Sequence, residues 1–454
     1  MKVHFIAIGG AVMHNLAIAL HKKGYVVTGS DDEIFEPSRS RLDKYGLLPD
    51  DTGWKAGRIK PDLDAVILGM HAREGNPELE KALSLGIPVT SFPEYLFEQT
   101  KNKKRIVIGG SHGKTTITSM VMHVLKTHDI RFDYMVGSQI EGFETMVGLS
   151  DDSGIAVFEG DEYLSSALDR RPKFHLYKPN IALISGIAWD HMNVFPEYET
   201  YLDQFRIFIE KIEAGGTLIY CSDDPELVKL VKSSSRGLTH IPYGEHPHEI
   251  RNERTYLQTG NGEYFLPVFG RHNMQNINGA RIVCNTLGIN DDMFYRAIQS
   301  FSGARKRMQL LTKNQSTSVY LDFAHAPSKV KATSQAMKEQ FPGRKLVAVL
   351  ELHTYSSLNE KFLPQYRDSL NAADTAMVYF SPKTLEHKKL PPLTADQVRK
   401  VFGRADLQVY NEADLLLQNL RNRDWNNQNL LIMTSGNFDG QDLEGLARDI
   451  TKKP

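Results

Sequence analysis

The chain has 454 residues, room for about three domains on a prior of roughly 150 residues each. Hydrophobic residues make up 41% and charged residues 24%, the balance of a soluble globular protein with apolar material for several cores. The formal net charge of −1 excludes a global field for nucleic acid or an anionic membrane, so any anionic ligand must be held by local arrangement.

Cys221 and Cys284 are far apart, which excludes a disulfide framework and suits a reducing cytoplasm. Residues 1–10 superficially resemble a short secretory leader, but the apolar stretch runs into Gly9-Gly10 without a small-residue cleavage site. No segment approaches the ~18 apolar residues that span a bilayer. A cytoplasmic, enzyme-like chain is expected, with no membrane or nucleic-acid partner.

In chain order, an apolar strand at 3–8 turns at Gly9-Gly10 into a helix at about 12–22, ended by Gly24. A second strand at 25–28 closes at Gly29-Ser30-Asp31. Strands at 65–68 and 87–90 flank a helix at 77–85, and this alternation predicts a parallel sheet. The basic run Lys101-Asn102-Lys103-Lys104-Arg105 reads as a linker or as an ordinary solvated surface run. Beyond it come a strand at 106–108, a glycine loop, a helix at 115–127, and strands at 155–158, 181–184 and 217–220. A third region starts near Gln309, with strands at 319–323, 345–350 and 430–434 and a helix at 328–340. The pattern predicts an α/β protein with domains at 1–103, 104–309 and 310–454.

The loop Gly109-Gly110-Ser111-His112-Gly113-Lys114-Thr115-Thr116 carries the most chemistry. Binding a triphosphate needs backbone N–H groups free to point inward, hence glycine, and a cation for the outer phosphates. Gly109, Gly110 and Gly113 supply the first and Lys114 the second, while Thr115 and Thr116 open a helix where a hydroxyl can ligate Mg²⁺. The spacing is not G-x-x-x-x-G-K-[ST], because Ile108 stands at its first glycine; the shorter G-x-x-G-K-T-T fits.

That short form resembles the loop of the Mur ligases, which build the peptide of bacterial cell-wall (peptidoglycan) precursors. Further stretches resemble the family in the same order: Phe158-Glu159-Gly160-Asp161-Glu162-Tyr163, Trp189-Asp190-His191, and Gly270-Arg271-His272-Asn273-Met274-Gln275-Asn276. Arg305-Lys306-Arg307-Met308 and Leu321-Asp322-Phe323-Ala324-His325-Ala326-Pro327 continue the series. The resemblance implies a Rossmann-like domain for the UDP-substrate, a central P-loop ATP-binding domain and a Rossmann-like C-terminal domain for the amine. It also implies a ligase that activates the lactyl carboxylate of UDP-N-acetylmuramate with ATP and Mg²⁺. One such branch adds L-alanine; another adds a murein tripeptide, L-alanyl-γ-D-glutamyl-meso-diaminopimelate. Val12, Tyr163 and the stretch at 433–440 tilt the reading toward the tripeptide.

Site roles follow from the same resemblance. Lys114, His191 and Arg307 are the expected catalytic groups, with Thr115, Glu159 and His191 as metal ligands and Glu162 as the competing carboxylate. ATP is expected on Gly110, Ser111, His112, Gly113, Lys114, Thr115, Thr116, His272, Asn273, Asn276, Arg307 and Asp322. Asn273 could serve equally as a helix cap, and His325 is left as a possible polar group of the site. The family's asparagine four residues before the D of D-H is replaced by Gly186, so that contact is lost or supplied by Ser185. Residues 202–206 offer no lysine for the carbamylated residue that some relatives carry.

In the first region, Gly9, Gly10 and Asp31 suggest a dinucleotide fold, but G-x-G-x-x-G is absent. The resemblance places UDP there instead, with His71 and Arg73 as diphosphate candidates or as a plain surface loop. Glu351, His353 and Tyr355 lie after a late strand and are candidates to choose the amine. Two alternatives differ in kind. Folylpolyglutamate synthetase shares the ATP loop but lacks a glycine-turn domain ahead of it. A non-ligating ATPase or nucleotide switch would release phosphate with no amine present.

Overall fold

A computed structural model describes residues 1–70, 72–189, 194–303 and 307–452. The chain divides into two compact units, one formed by residues 1–244 and 276–297, the other by 245–275 and 298–454.

The first unit holds two sheets. The smaller has four parallel strands in the order Val26–Ser30, Lys2–Ile6, Ala65–Leu68, Val89–Ser91. The larger has seven, in the order Thr239–Tyr243, Thr217–Cys221, Ile181–Ile184, Lys104–Gly109, Ile155–Glu159, Asp133–Met135, Val147–Gly148, and only the last pairing is antiparallel. Ala65–Leu68 and Ile181–Ile184 are buried at every position, as strands covered on both faces must be. The predicted strand at 3–8 stops at Ile6 because Ala7 turns left-handed, at φ 70°.

In the second unit, a six-stranded sheet runs Gln309–Lys313, Ser318–Asp322, Gln428–Met433, Lys345–Leu352, Thr375–Phe380, Gln408–Tyr410, with only the first pairing antiparallel. Alternate residues of Lys345–Leu352 feed two cores: Leu346, Ala348 and Leu350 on one face, Val347 and Val349 on the other. An antiparallel meander, His248–Arg251, Arg254–Thr259 and Gly262–Leu266, departs from the expected α/β alternation.

In the basic run at 101–105, Lys101, Asn102 and Lys104 are exposed, as a solvated run would be, while Lys103 is half-buried and Arg105 is buried. Lys104 and Arg105 open a strand, and Arg105, 3% exposed, donates to the carbonyls of Thr100, Lys101, Lys103, Tyr177 and Lys178 and pairs with Glu213 at 3.0 Å. Lys103 reaches buried Asp133 at 2.6 Å. Buried carbonyls need donors, and the arginine fork supplies them.

Candidate active site

Gly109 ends the strand Lys104–Gly109, and Lys114 begins the helix Lys114–Thr127, so the four residues between them form a tight phosphate-sized loop. Two of its glycines are required. Gly110 has φ 121° and a Cβ there would meet Ser185 N at 2.7 Å; Gly113 has φ 76° and packs directly on the Asn276 side chain. The loop is braced from the neighbouring strand end: Ser111 N–H donates to Gly186 O at 2.9 Å, Ala188 N–H to Ser111 Oγ at 3.0 Å, and Ser185 Oγ–H to Gly109 O at 3.2 Å. Ser185 thus acts as a brace within the loop. The first-turn N–H groups of the helix have no acceptor inside it, which leaves them for an anion.

Lys114 Nζ donates to Gly110 O and to Glu162 Oε2, both at 2.7 Å. Glu162 is 0% exposed and also accepts the Tyr201 hydroxyl at 3.3 Å. Burial would lower the lysine's pKa, but the carboxylates of Glu162, Asp161 and Glu159 together raise it, so the ammonium stays charged. Glu159, also buried, accepts the Thr115 hydroxyl at 2.8 Å and the Gly137 N–H at 2.7 Å. The two carboxylates are therefore separated by partner: Glu159 meets the threonine hydroxyl, Glu162 the lysine. Thr115 and Glu159 offer the all-oxygen donors that Mg²⁺ prefers, so this chain fits that ion. Nothing in the sequence pattern marks Tyr201 or Gly137 as members of this cluster. His191 lies outside the described residues.

The helix Arg271–Thr286 carries His272, Asn273 and Asn276. Asn276 is the residue seated against Gly113; Asn273 Nδ2 donates to Phe269 O at 2.8 Å, bonding the chain just ahead of the helix. Within the second unit, burial lowers the pKa of His272 while Asp322 opposes the shift. Asp322 accepts Met308 N–H at 2.6 Å and Ala324 N–H at 2.7 Å, which fixes the backbone beside Arg307. The Arg307 guanidinium lies 4.7 Å from the Phe323 ring centre, and His325 Nδ1 bonds Phe323 O at 2.9 Å.

At the first glycine turn, Asp31 Oδ2 takes the Gly9 N–H at 2.7 Å, and a Cβ on Gly9 would sit 2.9 Å from that oxygen. Burial pushes the Asp31 carboxyl up to about 6. Gly10 opens the helix Ala11–Lys22, whose His14 and Asn15 are buried. Arg73 is exposed in the loop after Ala65–Leu68, and His71 lies outside the described residues.

A lysine-bearing glycine loop at a helix start, backed by buried carboxylates on a parallel sheet, defines a P-loop nucleotide-binding protein. Comparison with known proteins narrows that class. Residues 2–104 match the "Mur ligase family, catalytic domain", 108–284 the "Mur ligase middle domain" and 306–437 the "Mur ligase, glutamate ligase domain". A UDP-N-acetylmuramate–L-alanine ligase of Desulforamulus reducens is 33% identical over 80% of this chain and 79% of its own length. The UDP-N-acetylmuramate–L-alanyl-γ-D-glutamyl-meso-2,6-diaminoheptandioate ligase of Escherichia coli is 27% identical over 99% of both chains. Among solved structures, the UDP-N-acetylmuramate–alanine ligase of Thermotoga maritima shares the fold, with a TM-score of 0.69 at 21% identity over 100% of this chain and 99% of its own. The chain belongs to the Mur ligase family, whose members are ATP-dependent amide-forming ligases.

Proposed function

We propose that the protein joins the lactyl carboxylate of UDP-N-acetylmuramate to the amine of the murein tripeptide through an acyl phosphate, in peptidoglycan recycling in the cytoplasm. The observation that carries this reading is the charged, half-buried Lys114 at the mouth of the loop, beside Thr115 and Glu159. A carboxylate attacking a γ-phosphate brings two anions together, and fixed positive charge is what lowers that barrier. The carboxylate oxygen bonds phosphorus as ADP leaves. The amine nitrogen then bonds the acyl carbon, sheds a proton, and phosphate departs.

In this reading Lys114 holds the outer phosphates, the loop and helix N–H groups hold the rest, and Asn276 frames the adenine side. Thr115 and Glu159 would hold Mg²⁺, with His191 for a second ion; a bound Mg²⁺ neutralises phosphate charge. On the family resemblance we assign His272, Asn273, Arg307 and Asp322 to ATP, and Gly9, Gly10, Asp31, His71 and Arg73 to the UDP-substrate. Among the described residues no helix is long and apolar enough to cross a membrane.

The tripeptide is favoured by Tyr163 and by the full-length match to the E. coli relative that is named for it. L-Alanine is the second reading, favoured by the higher identity of the D. reducens relative. Offering UDP-N-acetylmuramate and ATP with each amine in turn, and weighing the nucleotide product by mass spectrometry, decides between them. The tripeptide adduct is the expected product. Phosphate release without any amine would instead identify a plain ATPase.

A further inference from the structure

The second unit carries a buried carboxylate that the ATP chemistry leaves unused. Glu351 stands near the end of the strand Lys345–Leu352 and is 2% exposed. The neighbouring strand Gln428–Met433 runs directly into a turn at 434–440. Glu351 Oε2 accepts the Thr434 hydroxyl, and Oε1 accepts the Phe438 N–H at 3.1 Å. Thr434 Oγ1 in turn accepts the Gly436 N–H at 2.7 Å. One carboxylate therefore holds the turn at both ends. His353 Nδ1 lies 3.6 Å from Oε1, and its ring covers Gly436 so closely that a Cβ there would meet Cγ at 2.6 Å.

The turn is also strained. Phe438 and Asp439 have φ of 48° and 54°, a region that residues other than glycine seldom occupy. Such backbone persists only where its surroundings over-determine it, and it clusters at ligand sites. Here Phe438 stacks on Tyr379 at 5.4 Å and Asp439 accepts the Ser381 hydroxyl at 2.9 Å. All of this sits at the carboxyl ends of parallel strands, where open α/β sheets bind their ligands.

We infer that Glu351 is a positioning residue for the amine substrate, fixing the turn at 434–440 and the His353 imidazole as one wall of the amine's site. This rests on the ligase reading above. With both oxygens taken by protein donors, Glu351 acts through the shape of the turn, not by binding the amine itself.

The test compares Glu351→Gln and Thr434→Val in the full chain, with UDP-N-acetylmuramate, ATP and the amine that the wild type uses. Loss of one charge-assisted hydrogen bond predicts a rise of about tenfold in the KM of the amine, with the KM of ATP and of UDP-N-acetylmuramate unchanged. Should Glu351→Gln not fold, Thr434→Val carries the test, because it keeps the side-chain shape and removes only the hydroxyl. An amine KM that stays put, or three KM values that rise together alongside a lower unfolding temperature, overturns the inference. A wild type that joins neither amine overturns the ligase reading first, and this inference with it.

Discussion

At the scale of single residues, the Lys114–Glu162 pair at 2.7 Å is where the proposed ATP site is most directly tested. Removing the lysine strips the phosphates of their fixed cation, so Lys114→Ala is expected to lower the ligation rate by about a hundredfold or more. It also takes the cation from buried Glu162, which keeps the Tyr201 hydroxyl, a loss of about 3 kcal/mol in stability. The double variant Lys114→Met/Glu162→Leu is expected to regain most of that stability and none of the activity. Urea unfolding and ADP release measured side by side check both halves; a double variant as unstable as Lys114→Ala would sink the argument. The loop was legible in the sequence because glycines, lysine and threonines act through local backbone. The division of labour between Glu159 and Glu162 was not, since it depends on which carboxylate faces the helix start and on Tyr201, 39 residues from Glu162.

At the scale of elements, strands that follow a glycine turn or form unbroken apolar runs were legible, and the meander was not. Ala65–Leu68 and Ile181–Ile184 are unbroken apolar runs, whereas Arg254–Thr259 and Gly262–Leu266 mix exposed and buried positions. Gly260-Asn261, between the paired Thr259 and Gly262, was the local signal of that hairpin. In the run at 101–105 only its end departs from a surface reading, because Arg105 spends its donors on backbone carbonyls. A tie between two elements gives a pH prediction. His175, in the short helical segment Lys173–Leu176, bonds Gln204 O of the helix Tyr198–Glu210 at 2.7 Å. Burial pushes its imidazole down to about 4, against 6.5 in an unfolded chain. The unfolded chain then binds the proton more tightly, so the contribution is complete above pH 6.5 and fades as pH falls toward 4. Its size is at most about 3 kcal/mol. Urea midpoints across that range are expected to flatten in His175→Gln relative to the wild type; parallel curves would refute the assignment.

At the scale of the molecule, the two sheets of the first unit are tied in two ways of unequal worth. Glu144 pairs with Lys22 at 2.6 Å and Lys44 at 2.9 Å, but all three are exposed, and such pairs contribute less than about 1 kcal/mol. Asn15 is buried: its Oδ1 accepts Met146 N–H at 3.0 Å, and its Nδ2 donates to Ala11 O at 2.7 Å. Asn15→Ala orphans a buried N–H and is expected to lose about 2 kcal/mol, with Glu144→Gln close to neutral. Thermal unfolding of the two variants ranks them, and the reverse order would refute the account. The Lys114–Glu162 contact bears on the whole catalytic cycle as well. In the proposed ATP site the lysine meets nucleotide already paired with Glu162 at 2.7 Å, so capture of ATP would exchange one anion for another and departure of ADP would return the lysine to its carboxylate.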